Sequence, residues 1–294
     1  MPFEINPRHP IPDEVHHLMA LQIARIETHL QSADSAEDRV HEFRKRTKET
    51  RALLRLVRSG LGAQFAIENL WYRDAAREFA QVREAAALVE ALKKLRKHTG
   101  DRIARRGIRT VERALKHIKI DSRQLDSRPQ SLLERLPDAR TRLERWPALP
   151  DRFSTVGDGF ERTLRDGRRA LDETMDDPTS ENFHELRKRV KDHWYHAQLL
   201  RRLWPDYMKG YADAIEETSD ALGDHHDLVV LHDKLMPDPN AYGDKPALET
   251  TLSAIKKRRK QLEKESIDSA SHIYAEEPRR FRDRIREYWR LARQ

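Results

Sequence analysis

A short basic segment occurs twice in this chain. HEFRKRTK begins at His41 and HELRKRVK at His184, with six of eight positions identical at an offset of 143. At the same offset, FAQVREAAALVEAL from Phe79 faces LGDHHDLVVLHDKL from Leu222. Phe79/Leu222, Ala80/Gly223, Glu84/Asp227, Leu88/Leu231 and Leu92/Leu235 are matched or similar there. One offset shared by two separated segments is the mark of an internal duplication. The fold must therefore be one that two copies of a half-chain can build.

Each half reads as helical. Stretches rich in Ala, Leu, Arg and Glu recur at helix spacing, and period-two runs of β-branched residues are missing. Met19, Ile23, Ile26 and Leu30 mark a first helix. A second, capped near Asp38, runs from about Val40 to Ser59 and stops at Gly60 and Gly62. A third is expected from Ala66 towards Lys97 and a fourth from Asp101 to about Ile120. The Pro-bearing stretch 121–158 reads as a connector with short helices. Further helices are expected at Phe160–Thr174, at Asn182–Trp204 behind a cap at Ser180, and at Tyr207–Met236, Leu248–Tyr274 and Arg279–Arg293. MPDPNAYGDKP is a turn-rich break. The expectation is all-α: two four-helix bundles related by pseudo-two-fold symmetry, with an extra C-terminal helix. The halves are placed at 1–120 and 159–294.

Several function classes lack material. The chain has no cysteine among its 294 residues, so disulfides, Cys-ligated zinc, Fe–S clusters and a Cys nucleophile are excluded. Neither a Walker loop nor a Rossmann glycine fingerprint is present. No apolar run is long enough for a membrane span, and the N-terminus lacks a signal-peptide pattern, so a soluble cytoplasmic protein is expected. No cofactor and no metal ligand set is assigned.

Charge is where the sequence is most specific. On a helical wheel, His41, Arg44, Lys48, Arg51, Arg55 and Arg58 step by 3 or 4 and share an arc of about 100°. Val40, Phe43, Thr47, Leu54 and Val57 form a separate apolar edge. In the second copy, His184, Arg187 and Lys191 hold the same arc; Trp194 and Gln198 interrupt it, and Arg201 resumes it. Residues 40–58 carry +5 and residues 183–202 carry +4, more together than the +7 of the whole chain. Ordinary solvated helix faces intersperse carboxylates at i,i+4, and this arc has none. Forty-one of the 57 cations are arginine, whose planar fork suits phosphate. A twice-repeated, unrelieved cation stripe points to a polyanion.

The segments His41–Lys48 and His184–His196, with LGDHHDLVVL from Leu222, resemble the signature helices of CHAD domains, the conserved-histidine α-helical domains. The resemblance extends from about Val15 to the C-terminal helix, so the two halves and connector would be one such domain. It implies two four-helix bundles whose basic residues line a central cleft. It also implies binding of inorganic polyphosphate and location on polyphosphate granules, with granule proteins as further partners. By motif position the contacts would fall on His41, Arg44, Lys48 and Arg51, and on His184, Arg187, Lys188 and Lys191. Lys45 and Arg55 are companions on the wheel. Arg73, Arg77, Arg162, Arg165 and Arg169 are weaker candidates. Lys45 stands where family members often have Val, Arg83-Glu84 where they have Arg-Asp, and Trp194 where the first half has Arg51. The two halves of the site are therefore expected to differ.

Three other readings stay open. His225, His226 and Asp227, with His232-Asp233, hold the letters of a metal-dependent phosphohydrolase, although the repeat-matched Val82-Arg83-Glu84 does not. A general nucleic-acid binder fits the charge, but no helix-turn-helix, RRM, KH or OB signature is present, and nucleic acid is expected only as a non-specific competitor. An adaptor docking an acidic protein is the plainest alternative. No catalytic constellation stands out, so a non-enzyme is expected.

Overall fold

Apolar spacing and capping set where the helices form. The first helix, α1 (Ile11–Gln31), buries Ile11, Val15, Leu18, Met19, Ile23, Ile26 and Leu30 along one stripe. The next, α2 (Ala36–Leu56), starts behind Ser35, whose side chain accepts from the Asp38 N–H at 3.1 Å. The computed structural model describes residues 3–32, 34–78, 84–117 and 128–294, and every regular element among them is helical. The remaining helices are α3 (Arg58–Leu61), α4 (Gln64–Arg77), α5 (Glu84–His98), α6 (Arg102–His117) and α7 (Arg128–Glu144) in the first part of the chain. They are followed by α8 (Ser154–Asp176), α9 (Ser180–Leu199), α10 (Pro205–Leu235), α11 (Lys245–Ile273) and α12 (Pro278–Ala292).

The differences from the sequence reading have local causes. The second helix ends at Leu56, because Val57 (φ −99°, ψ 15°) leaves helical geometry before the short α3. Gly62, at φ +54°, then turns the chain into α4 through a left-handed conformation that disfavours other residues. The third expected helix is seen as α4 and α5; residues 79–83, with Phe79, Ala80 and Arg83, lie outside the described residues. The boundary drawn at 120/121 also falls outside them. The Pro-bearing connector contains a full helix, α7, with Pro137 inside it. Thr179 rather than Ser180 caps α9, accepting from the Asn182 N–H at 3.2 Å, and Ser180 accepts instead from Arg259 at 2.9 Å. The MPDPNAYGDKP break is a 3₁₀ turn at Pro239–Tyr242, and Asp244 caps α11.

The packing couples the two halves. α2 lies against α1 and α4, and α9 lies against α8 and α10. α2 also touches both α8 and α9. α7 packs on α1, and α12 packs on α8. The larger core collects Met19 and Ile26 from α1, Phe43 and Leu54 from α2, Phe160 from α8 and Phe183 and Leu186 from α9. Full burial of each such side chain contributes about 1.5–3 kcal/mol. A second core joins Leu88 and Leu92 of α5 and Ile108 and Val111 of α6 to Leu231 and Leu235 of α10 and Ile255 of α11. The repeat-matched pairs Leu88/Leu231 and Leu92/Leu235 are thus buried in the same core.

Two close contacts to the α2 backbone bring α8 and α9 onto that helix. A Cβ on Gly159 of α8 would stand 2.0 Å from the Leu56 carbonyl oxygen of α2, so only glycine allows this crossing. The buried His196 imidazole on α9 donates from Nε2 to the Ala52 carbonyl of α2 at 2.9 Å. Its pKa is pushed down to about 3 by burial, with Arg55 adding to the shift, which fixes it as the neutral donor.

Candidate functional site

The crossing leaves a cleft of about 460 Å³ between α2 and α9, closed at its sides by α3, α4 and α8. Nine cations line it: Lys48, Arg51, Arg55, Arg58, Arg162, Arg187, Lys188, Arg189 and Lys191. Among the described residues, only two carboxylates do, Asp166 and Asp192. The non-ionic lining is Phe65, Asn69, Gly159, Thr163 and Tyr195.

Each half holds its cations by different means. On α2, Arg51 donates from Nε to Asn69 Oδ1 of α4 at 3.0 Å. Burial, and then Arg55, push its pKa down to about 10, with Arg73 and Arg77 acting in the same direction and Asp192 opposing. The guanidinium remains charged at neutral pH but is electrostatically strained by its neighbours. Arg58 lies over the Phe65 ring at 4.6 Å. On α9, Lys191 sits over the Trp194 ring at 3.9 Å. Its pKa is lowered, first by burial and also by Arg187, while Asp220 and Glu216 act to raise it. Lys188 and Arg189 share Glu185, one turn back on the helix. The two helices differ at this repeat position: Trp194 seats a lysine where Arg51 reaches Asn69.

One ion pair bridges the halves at the base of the cleft. Arg55 Nη2 of α2 lies 2.6 Å from Asp192 Oδ1 of α9, both side chains being about one-fifth exposed. Burial raises the Asp192 pKa, while Arg55, Arg189, Arg51 and Lys188 pull it down. One carboxylate thus faces four cations in the cleft.

The structure gathers seven of the fifteen sequence-derived candidates into this cleft: Lys48, Arg51, Arg55, Arg162, Arg187, Lys188 and Lys191. The other eight are not among its lining residues. Arg44 donates from Nη1 to the Ala76 carbonyl at the end of α4, at 3.4 Å. His41 and Lys45 are exposed near the start of α2. Arg73 bonds Asp74 at 2.9 Å, and Arg77 lies 3.8 Å from the same carboxylate. Arg165 pairs with Glu161 at 2.6 Å, and Arg169 lies between Asp166 and Glu173 at 3.4 and 3.8 Å. These α8 pairs follow the helix at i,i+3 and i,i+4, as solvated surface pairs do. His184 packs against His226 of α10, the rings tilted by 38° with centroids 4.5 Å apart. Burial, then Arg187 and Lys188, lower its pKa.

Arg189 and Asp192 line the cleft although the wheel did not single them out. In the repeat, Glu185–Arg189 matches Glu42–Arg46, where Arg46 also reaches Glu49 at 2.9 Å. Two of the six identities are thus a local ion pair, and one, Lys48/Lys191, is a cleft cation in both halves. Gly223 belongs to another part of the motif. A Cβ there would meet Arg187 Nε at 3.6 Å, an ordinary contact, so this position of α10 lies directly beside the guanidinium.

The histidine-rich stretch is otherwise engaged. His225 is buried, with Nε2 3.2 Å from Glu263 Oε1 and its ring against Phe183. His226 faces His184, and His232 bonds Asp233 at 3.1 Å. Among the described residues, no three of His, Cys, Asp and Glu are grouped so as to hold a metal ion. Among them, too, no helix is long and apolar enough to cross a membrane.

Such a cleft presents donors for charge-assisted hydrogen bonds to an anion from two sides. The family described as CHAD domain matches residues 17–236, a stretch that includes both repeat helices. No curated protein matches the chain.

Proposed function

The chain belongs to the CHAD domain family, and on that premise we propose that it binds inorganic polyphosphate along the cleft between α2 and α9. The observation that carries this is the lining: nine cations against two carboxylates, drawn from both halves. Linear polyphosphate has a negative charge on each unit and nothing else to recognise. Lys48, Arg51 and Arg55 succeed one another on α2 at one cation per turn or so, a spacing of roughly 5 Å. Arg187, Lys188 and Lys191 answer them from α9. The affinity comes from releasing the counterions of the polymer, as it does for nucleic-acid phosphates. The role is binding rather than turnover. Through it the protein is held on polyphosphate granules or regulates enzymes that make or degrade the polymer.

Titration calorimetry with long-chain polyphosphate at two salt concentrations, with RNA in parallel, tests this. Stoichiometric, salt-sensitive binding that RNA does not match is expected. Equal affinity for RNA at matched phosphate concentration would reduce the cleft to a generic polyanion groove, and absence of binding at low salt would remove the reading.

A further inference from the structure

The two repeat helices are not the only cation stripes. On α6, Arg102, Arg105, Arg106, Arg109, Arg113 and Lys116 fall within an arc of about 100°, and all six are exposed. Residues 102–116 carry +5, the same as residues 40–58. Their single carboxylate, Glu112, is buried and bonded to Lys116 at 2.8 Å, with Arg96 at 3.7 Å. Arg105 donates to the Thr99 carbonyl at 2.5 Å. Among the described residues, Arg102, Arg106, Arg109 and Arg113 have no carboxylate within ion-pair distance.

The other arginine-rich surfaces are more fully paired. On α8, Arg165 and Arg169 are matched by Glu161, Asp166 and Glu173. On α12, Arg282, Arg284, Arg286 and Arg290 each reach an acid, and only Arg279 and Arg280 in its first turn reach none among the described residues. Solvated faces are relieved in this way, and α6 is not. The helix is held rigidly for presentation. Ile108, Val111 and Leu115 are buried in the second core, and Gly107 lets α6 close on α11, where a Cβ would stand 2.8 Å from the Ala247 carbonyl. The stripe extends about 21 Å along the helix axis. No aromatic, Asn or Gln interrupts it to stack on or read a base.

We propose that the arginine face of α6 is a second contact surface for polyphosphate, so that chains longer than the cleft are held at two places on one molecule. This rests on the cleft reading above. Charge complementarity names the occupant: six outward cations, five of them arginine, suit a phosphate polymer whose only feature is repeated charge. Once the cleft has captured one end, the remaining chain meets α6 at high effective concentration, so affinity must rise with chain length.

The test uses the full chain and an Arg102→Gln/Arg106→Gln/Arg109→Gln/Arg113→Gln variant, titrated with tripolyphosphate and with long-chain polyphosphate. The variant is expected to keep its helical signal and its tripolyphosphate affinity. It is expected to lose roughly tenfold or more in long-chain affinity and to show a shallower salt slope. Long-chain affinity unchanged in the variant would overturn the proposal. So would loss of duplex-RNA binding with long-chain polyphosphate retained, which would assign the face to nucleic acid. The cleft reading fails separately: if the wild type ignores tripolyphosphate while long-chain binding still depends on the four arginines, the α6 surface stands and the cleft does not.

Discussion

Replacing Asp192 by Asn should make the protein less stable and its grip on polyphosphate tighter. Asp192 is one of two carboxylates in the cleft and lies 2.6 Å from Arg55. Breaking a fully buried ion pair by removing one partner costs about 3–5 kcal/mol. With both side chains about one-fifth exposed, a loss of about 1–3 kcal/mol is expected instead, or roughly 5 °C in Tm for a chain of this size. In the complex the sign reverses. A carboxylate roughly 6 Å from a bound phosphate, at an effective dielectric constant of about 40, opposes it by about 1.4 kcal/mol, so its removal should tighten binding about tenfold. Arg55 also becomes available to the ligand. Differential scanning fluorimetry and calorimetric titration, run on the same preparation, read both effects. Weaker polyphosphate binding by the Asn variant would refute the reasoning, since it would mean that Asp192 orients Arg55 for the ligand rather than competing with it.

Other outcomes follow from the same geometry. Lys48→Ala combined with Arg187→Ala should reduce the salt slope of binding by about 1.4, about 0.7 for each cation removed, whereas Arg165→Ala with Arg169→Ala should leave the slope unchanged; calorimetry across a salt series distinguishes them. Gly159→Ala places a methyl 2.0 Å from the Leu56 carbonyl oxygen; it should lower stability by about 3 kcal/mol in urea unfolding, and a neutral result would mean that α8 can move freely off α2. Burial holds the pKa values of His193 and His196 down near 3. Folded values below the unfolded one of about 6.5 mean that the unfolded chain binds more protons, so stability must fall as the pH drops below 6.5. Between pH 7 and pH 5 the pair should remove about 4 kcal/mol, read from urea midpoints, and a flat profile would contradict the buried neutral assignment.

The helical class and the basic helices were legible because each is a local pattern. Periodicity shows which residues share a face of one helix, but not which neighbour that face meets. Arg44 and Lys48 lie on one arc of α2, yet Arg44 turns to the Ala76 carbonyl while Lys48 faces the cleft. That division depends on where α4 ends. Arg165 and Arg169 could have been set aside from sequence, since Glu161, Asp166 and Glu173 stand at pairing distance along the same helix. The stripe on α6 was equally open to the wheel, and with residues 279–293 also carrying +5 the basic charge is not confined to the two repeat helices. The Arg55–Asp192 pair was not legible, because its members are 137 residues apart and meet only through the α2–α9 crossing. Gly159 likewise gives no signal of its closeness to Leu56 until both helices are in place.

The second core has a consequence for synthesis. Leu88, Leu92, Ile108 and Val111 are complete by the time α6 has been made, but much of what covers them, Leu231, Leu235 and Ile255, is about 140 residues away. At translation rates of about 5–20 residues per second, those apolar faces wait roughly 7–30 s for their partners on the ribosome. The first half is therefore obliged to persist as an incomplete, adhesive intermediate.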